Sequence, residues 1–265
     1  MQDLITAVKD KKELRGVSDE FVEKVLQDYL DKHPNALEKK DKPHFQRSRE
    51  YRAMVKEVRA VLREVYGAFI LTNYERMRKA IADLNNSPTL VQHKAVLGLH
   101  RSSKERLPYY DEIYDEIFAI TGKPKRIMDL ACGLNPFSYP WLDCKPEYLA
   151  ADISPVLMEF IQGYFDAQGI QGNSFVFDLL KFRPTDFASY AESDVCFLFK
   201  TLDSLETMER GFSWKLVEGL PAKWVVVSFA TKSFGGRKEI KERGWFEKLM
   251  REAVQILTSY RLRLK

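Results

Sequence analysis

Cysteine and histidine are scarce: the chain has three cysteines and four histidines in 265 residues. Cys132, Cys144 and Cys196 form no C-x-x-C pair, and an odd number argues against a disulfide framework. The histidines, His33, His44, His93 and His100, and the cysteines form no cluster with the spacing of a zinc site, so no metal is expected. Long apolar runs are also missing. No segment approaches the ~20 consecutive apolar residues of a membrane helix. Met1 to Lys12 is charged and lacks the apolar core of a signal peptide. Internal repeats and low-complexity tracts are absent too. These absences predict a cytoplasmic protein with no membrane partner.

The rest is ordinary for a globular protein. With 45% hydrophobic and 30% charged residues, the chain can bury one good core and carry a second, smaller unit. The net charge of +4 is too mild to identify a polyanionic partner, but its distribution says more. From Lys39 to Arg63 stand Lys39, Lys40, Lys42, Arg47, Arg49, Arg52, Lys56, Arg59 and Arg63, against only Asp41, Glu50 and Glu57. Such a field attracts a phosphate backbone. The alternative is a solvated helix face.

The first part of the chain has helical spacing. Phe21, Val22, Val25, Leu26, Tyr29 and Leu30 mark one helix, with Ser18 as its N-cap and Pro34 as its end. Asn35 to Pro43 is polar and reads as a linker. Gln46 to Tyr66 predicts a second helix, with Tyr51, Met54, Val55, Val58, Val61, Leu62 and Val65 on one face and the basic residues largely on the other. Asn73 to Leu84 and Thr89 to Leu99 predict two more, joined by a turn at Asn85 to Pro88.

From Lys123 short apolar runs alternate with amphipathic segments. Arg126–Leu130, Tyr148–Ala151, Ser174–Phe177, Val195–Phe199 and Trp224–Phe229 predict strands. Pro155–Gln168, Leu205–Leu220 and Lys238–Gln255 predict helices. This alternation predicts an α/β fold with a parallel sheet covered on both faces. The expected division is a helical, basic unit over 1–95 and a Rossmann-like unit over 96–265.

Three acids stand at successive strand ends: Asp129, Asp152 and Asp178. Ligands of open α/β sheets sit beyond the carboxyl ends of the strands. Asp129 opens the turn Asp129-Leu-Ala-Cys-Gly-Leu-Asn-Pro136, whose glycine lets the backbone approach a ligand closely. Asp152, 23 residues on, is placed to accept ribose hydroxyls, and Asp178 to reach an adenine amino group. The pyrophosphate fingerprint G-x-G-x-x-G is incomplete. That fits S-adenosylmethionine, which has no phosphate to cradle. The expectation is a class I SAM-dependent methyltransferase domain. Capping or turn acids are the alternative, and one acid alone would favour it.

Four segments extend the match. They are Leu99-His-Arg-Ser-Ser-Lys-Glu-Arg-Leu107, Asp129 to Pro136, Leu198-Phe-Lys-Thr-Leu202 with Leu205-Glu206, and Val227-Ser-Phe-Ala-Thr-Lys-Ser-Phe-Gly-Gly-Arg237. In this order they resemble the aminoglycoside-resistance 16S rRNA (guanine-N7) methyltransferases, the Arm/Rmt group and their relatives in aminoglycoside producers. The resemblance covers most of the chain and is strongest from Leu99 to Arg237. It implies methylation of a guanine N7 in the decoding-site helix of 16S rRNA, within the small (30S) subunit, with S-adenosylmethionine as donor; a monomer is expected. It implies that Arg106 holds the cofactor's carboxylate, Gly133 lines its amino-acid end, Asp152 holds the ribose and Asp178 the adenine region. Ser103, Asp129, Leu179 and Phe199 complete the implied cofactor set, together with His100, for which a helix cap is the alternative. Lys200, Lys232, Ser233, Arg237 and Lys238 would face the target nucleotide or its phosphates. Arg52, Lys56, Arg59 and Arg63 would dock on the RNA.

Some positions depart from the family pattern. Ser103 replaces a usual threonine, Ala230 a familiar proline and Phe177 a familiar glutamine. The antiparallel last strand usual in this fold is not evident before Lys265. Guanine N7 carries a free lone pair, so transfer to it needs positioning and no general base; Lys200 is expected to position. The flipped base would stack on an aromatic ring, with Phe137, Tyr139, Trp141 or Phe234 available, though each also fits a core role. Cys132 reads as a small filler. Two other readings remain: a methyltransferase acting on tRNA or a small molecule, and a ribosome-assembly factor that binds the cofactor without transfer.

Overall fold

The computed structural model describes residues 1–84, 88–187, 190–230 and 243–252. Helices fill the first half: α1 (Gln2–Lys9), α2 (Asp19–Lys32), α3 (Arg49–Val65), α4 (Tyr74–Ala82), α5 (Leu90–Leu97), α6 (Arg101–Arg106) and α7 (Tyr110–Thr121). Strands then alternate with helices: β1 (Arg126–Leu130), β2 (Glu147–Asp152), α8 (Pro155–Gln168), β3 (Gly172–Val176), β4 (Ser193–Phe199), α9 (Leu202–Met208), α10 (Phe212–Gly219), β5 (Ala222–Ser228) and α11 (Gly244–Glu252).

Local chemistry sets the helix starts. Ser18 caps α2 through the Phe21 amide and Ser48 caps α3 through the Tyr51 amide. Asn73 caps α4, and Thr89 with Gln92 forms a full capping box on α5. In α3 the buried residues Met54, Val55, Val58 and Leu62 share one face. A 3-10 turn, Pro34–Leu37, runs into the expected linker 35–43 and buries Ala36.

Among the described residues the sheet is parallel throughout, in the order β3-β2-β1-β4-β5. Alternate residues feed two cores. Ile127, Ala150, Val195 and Phe197 face one cluster, which runs on without interruption into the helical half through Phe21, Met54, Leu62 and Tyr66. Met128, Leu130, Leu149, Ala151, Cys196 and Leu198 face the other. Burial on both faces explains why the strands read as continuous apolar runs.

Two expected elements differ. The single helix over Leu205–Leu220 is two helices, α9 and α10. Gly211 at φ 85° breaks it, and the Glu206 carboxylate accepts the freed Gly211 and Ser213 amides. β3 ends at Val176, so Asp178 lies two residues past the strand. Of the helix expected over Lys238–Gln255, Gly244–Glu252 is observed; positions 238–242 and those beyond Glu252 lie outside the described residues. Among the described residues no helix is long and apolar enough to cross a membrane.

Candidate active site

The sheet order reverses between β1 and β4, and a pocket opens there at the carboxyl ends of the strands. Its floor is Ala131 to Gly133 after β1, Asp152 and Ile153 at the end of β2, Phe177 to Leu180 after β3, and Phe199 to Thr201 after β4. Its roof comes from the helical half: Phe21 of α2, Val65 and Tyr66 at the end of α3, and Phe69.

Backbone strain marks the floor. Ala131 (φ 51°) and Lys200 (φ 60°) are non-glycine residues in the left-handed region, each one residue past a strand end. Gly133 (φ 53°) is needed for a second reason: a Cβ there would stand 2.7 Å from the His100 ring.

Asp152 is buried, and its two oxygens accept from the Gly133 amide (3.0 Å) and the Ser154 amide (3.1 Å). Burial still outweighs these bonds and pushes its carboxyl up to about 6. Asp129 does not line the pocket. It lies beneath, 1% exposed, with Oδ2 accepting from the Tyr148 hydroxyl (2.7 Å) and Asn135 Nδ2 (2.9 Å). Burial pushes it, too, up to about 6. Arg106 lies in the same layer. It donates to Ser102 Oγ (2.7 Å) and Asn135 Oδ1 (3.0 Å) and sits 4.7 Å over the Phe199 ring. Ser103 is fully buried.

Asp178 lines the pocket and caps the 3-10 turn Leu179–Lys181 by accepting from the Leu180 amide at 3.0 Å. Lys24 of α2 stands 3.9 Å from its Oδ2. His100 is buried, and burial, with Arg106 and Lys200 nearby, pulls its imidazole down to about 3, so it is neutral. Lys200 pairs with Glu105 and keeps a side chain only 12% exposed; burial first, then Arg101, lowers it to about 8.

The structure therefore brings His100, Gly133, Asp152, Asp178, Leu179, Phe199 and Lys200 to one pocket and places Ser103, Arg106 and Asp129 outside its lining. Of the proposed stacking aromatics, Phe137 and Trp141 are buried core residues, and Tyr139 bonds the Pro146 carbonyl. None of the three lines the pocket, whose rings are Phe21, Tyr66, Phe69, Phe177 and Phe199. Phe234 lies outside the described residues, as do Lys232, Ser233, Arg237 and Lys238. Sequence reasoning missed the roof, because Phe21, Val65 and Tyr66 look like core positions of helices.

Arg52, Lys56, Arg59 and Arg63 line one shallow concavity on α3, with Asp10, Lys11 and Tyr51. They are not equivalent. Arg52 and Lys56 are exposed. Arg59 donates to the Ala7 and Val8 carbonyls at the end of α1, and Arg63 pairs with Glu13 at 2.8 Å.

The buried atoms Asp178 Oδ2, Asp129 Oδ1, His100 Nδ1 and Ser103 Oγ have no hydrogen-bond partner in the protein. Such atoms are costly unless a ligand meets them. Together with the Gly133 approach and the held Asp152, they suit a ligand carrying a ribose, an adenine and an amino-acid head.

Residues 28–259 match the family described as Ribosomal RNA methyltransferase (FmrO). A 16S rRNA (guanine(1405)-N(7))-methyltransferase of Micromonospora rosea is 35% identical over 194 residues, covering 70% of this chain and 69% of that protein. The crystal structure of the 16S rRNA methyltransferase RmtF in complex with S-adenosyl-L-homocysteine superposes with a TM-score of 0.74 at 27% identity, covering all of this chain and 93% of that one. The 16S rRNA methylase RmtB superposes with a TM-score of 0.69 at 25% identity, covering 93% and 88%. The chain belongs to the FmrO family of ribosomal RNA methyltransferases.

Proposed function

We propose that this protein methylates N7 of a guanine in 16S rRNA, using S-adenosylmethionine, and that the base is guanine 1405, for which the relatives are named. The observation that carries this reading is Asp152: a buried carboxylate at a strand end, oriented by two backbone amides and open to the pocket. Asp152 would accept from the ribose hydroxyls, Asp178 would meet the adenine edge, and Arg106 would hold the carboxylate of the amino-acid head. When bound, the cofactor supplies an electrophilic methyl group. The chain's own task is to hold the acceptor nitrogen in line with it, and proximity of that kind is worth up to ~7–11 kcal/mol. Lys200, at the pocket edge, would steady the target nucleotide.

We further infer that residues 1–95 form the docking unit and that the substrate is the assembled 30S subunit. The basic concavity on α3 supports docking. Pocket and roof are completed within one chain, which supports action as a monomer. The site of action is then the cytoplasm, and the family resemblance implies aminoglycoside resistance. Incubation of isolated 30S subunits with methyl-labelled S-adenosylmethionine tests the reading. Borohydride and aniline cleavage followed by primer extension should stop at guanine 1405. No incorporation, or a methyl on another atom, would reject it.

A further inference from the structure

A guanidinium and a carboxylate lie buried together beneath the pocket and make no direct ion pair. Arg106 is 7% exposed and Asp129 1%. Between them stands Asn135, fully buried in the turn after β1. Its Oδ1 accepts from Arg106 Nη2 at 3.0 Å and from the Tyr110 hydroxyl at 3.1 Å. Its Nδ2 donates to Asp129 Oδ2 at 2.9 Å. The amide can face only one way here: Arg106 offers only donors and ionised Asp129 only acceptors. The Asn135 backbone carbonyl accepts from the Ser138 hydroxyl at 2.6 Å.

Two opposite charges in so dry a place gain from contact. If they met, they would satisfy one another and leave little for a ligand. The interposed amide bonds each charge through a different end. Arg106 Nε and Asp129 Oδ1 are left without partners, beside the unpartnered Ser103 Oγ and His100 Nδ1. An amino-acid head carries the complementary pair, a carboxylate and an ammonium.

We propose that Asn135 is a positioning residue for the amino-acid head of the cofactor, because it holds Arg106 and Asp129 apart so that each charge stays available to the opposite charge of the head. The inference rests on reading the pocket as the S-adenosylmethionine site. Tyr148, which donates to Asp129 Oδ2 at 2.7 Å, supports one half of the same arrangement.

Calorimetric titration with two probes tests it. S-adenosylhomocysteine carries the amino-acid head; 5′-methylthioadenosine keeps the adenosine and the sulfur but lacks the head. Asn135→Ala is expected to weaken the first about tenfold or more, since hydrogen bonds to charged groups are worth that much. It should change the second less than about twofold. Tyr148→Phe serves where Asn135→Ala does not fold, and should cost a smaller factor, again only for the ligand with the head. Equal losses for both ligands, or no loss for S-adenosylhomocysteine, would overturn the proposal. Failure of the unaltered protein to bind either ligand would instead overturn the cofactor reading.

Discussion

The Ser154 hydroxyl donates to the Gly16 carbonyl at 2.7 Å, joining the helical half to the pocket across 138 residues of chain. The Ser154 amide also holds Asp152, so one residue grips both the helical half and the pocket carboxylate. Gly16 has no room for a side chain: a Cβ there would lie 2.1 Å from the Tyr74 hydroxyl, which bonds the hydroxyl of the pocket residue Tyr66 at 2.6 Å.

Gly16→Ala should therefore unseat the roof. Overpacking of this kind costs about 1–3 kcal/mol. Thermal denaturation should show a lower Tm, and S-adenosylhomocysteine should bind more weakly because Tyr66 shifts. Ser154→Ala should cost about 1–3 kcal/mol, through one lost bond and one lost helix cap. A Gly16→Ala protein with unchanged Tm would show that the seat tolerates separation.

Cofactor affinity should fall in acid. Burial raises Asp152 and Asp129 from 3.8 to about 6. The folded, ligand-free chain thus holds these protons more tightly than the unfolded chain. Their contribution to stability is fully present below about pH 3.8 and is lost as pH rises through about 6. Binding has the opposite sign, because ribose hydroxyls donate best to ionised Asp152. The dissociation constant of S-adenosylhomocysteine should rise roughly tenfold per pH unit below about 6, and Asp152→Asn should bind weakly with a flatter profile. Affinity independent of pH between 7 and 5 would rule out this role.

Lys200 should matter to transfer more than to cofactor binding. Its ammonium is held down to about 8 by burial, so the charge is lost within a range open to experiment. Single-turnover methylation should decline above about pH 8. Lys200→Arg should move that decline upward, and Lys200→Met should slow transfer about 10–100-fold. S-adenosylhomocysteine affinity should change far less. Equal losses in binding and rate would make Lys200 a cofactor ligand instead.

How much of this was legible depended on range along the chain. α8 is bounded as its punctuation predicts, by Pro155 at its start and Gly169 in the left-handed conformation after its end. The apolar runs of β1 and β4 are read directly, because a sheet buried on both faces needs them. Tyr110, Ile113, Tyr114, Ile117 and Phe118 carry a clear helical spacing for α7, a helix not predicted above. The bond from Ser154 to Gly16 has no such signature, since no periodicity links residues that far apart. Asn135 looks like any turn residue until Arg106 and Asp129 are seen on either side of it. Arg59 counted as one more surface charge, whereas folding commits it to the end of α1.

That commitment changes how the docking surface should be tested. Reversing Arg52, Lys56, Arg59 and Arg63 together would mix two effects. Arg52→Glu with Lys56→Glu alters only exposed charges, so Tm should hold. Binding to the 30S subunit should weaken, and the slope of log affinity against log salt should shrink by about 2, one unit for each lost phosphate contact. Arg59→Glu should instead lower the Tm by removing the bonds that finish α1 and setting a carboxylate against two carbonyls, at a cost of about 1–3 kcal/mol. An unchanged salt slope in the Arg52 and Lys56 variant would move the docking face away from α3, because Arg59 and Arg63 have donors committed within the protein, to the Ala7 and Val8 carbonyls and to Glu13.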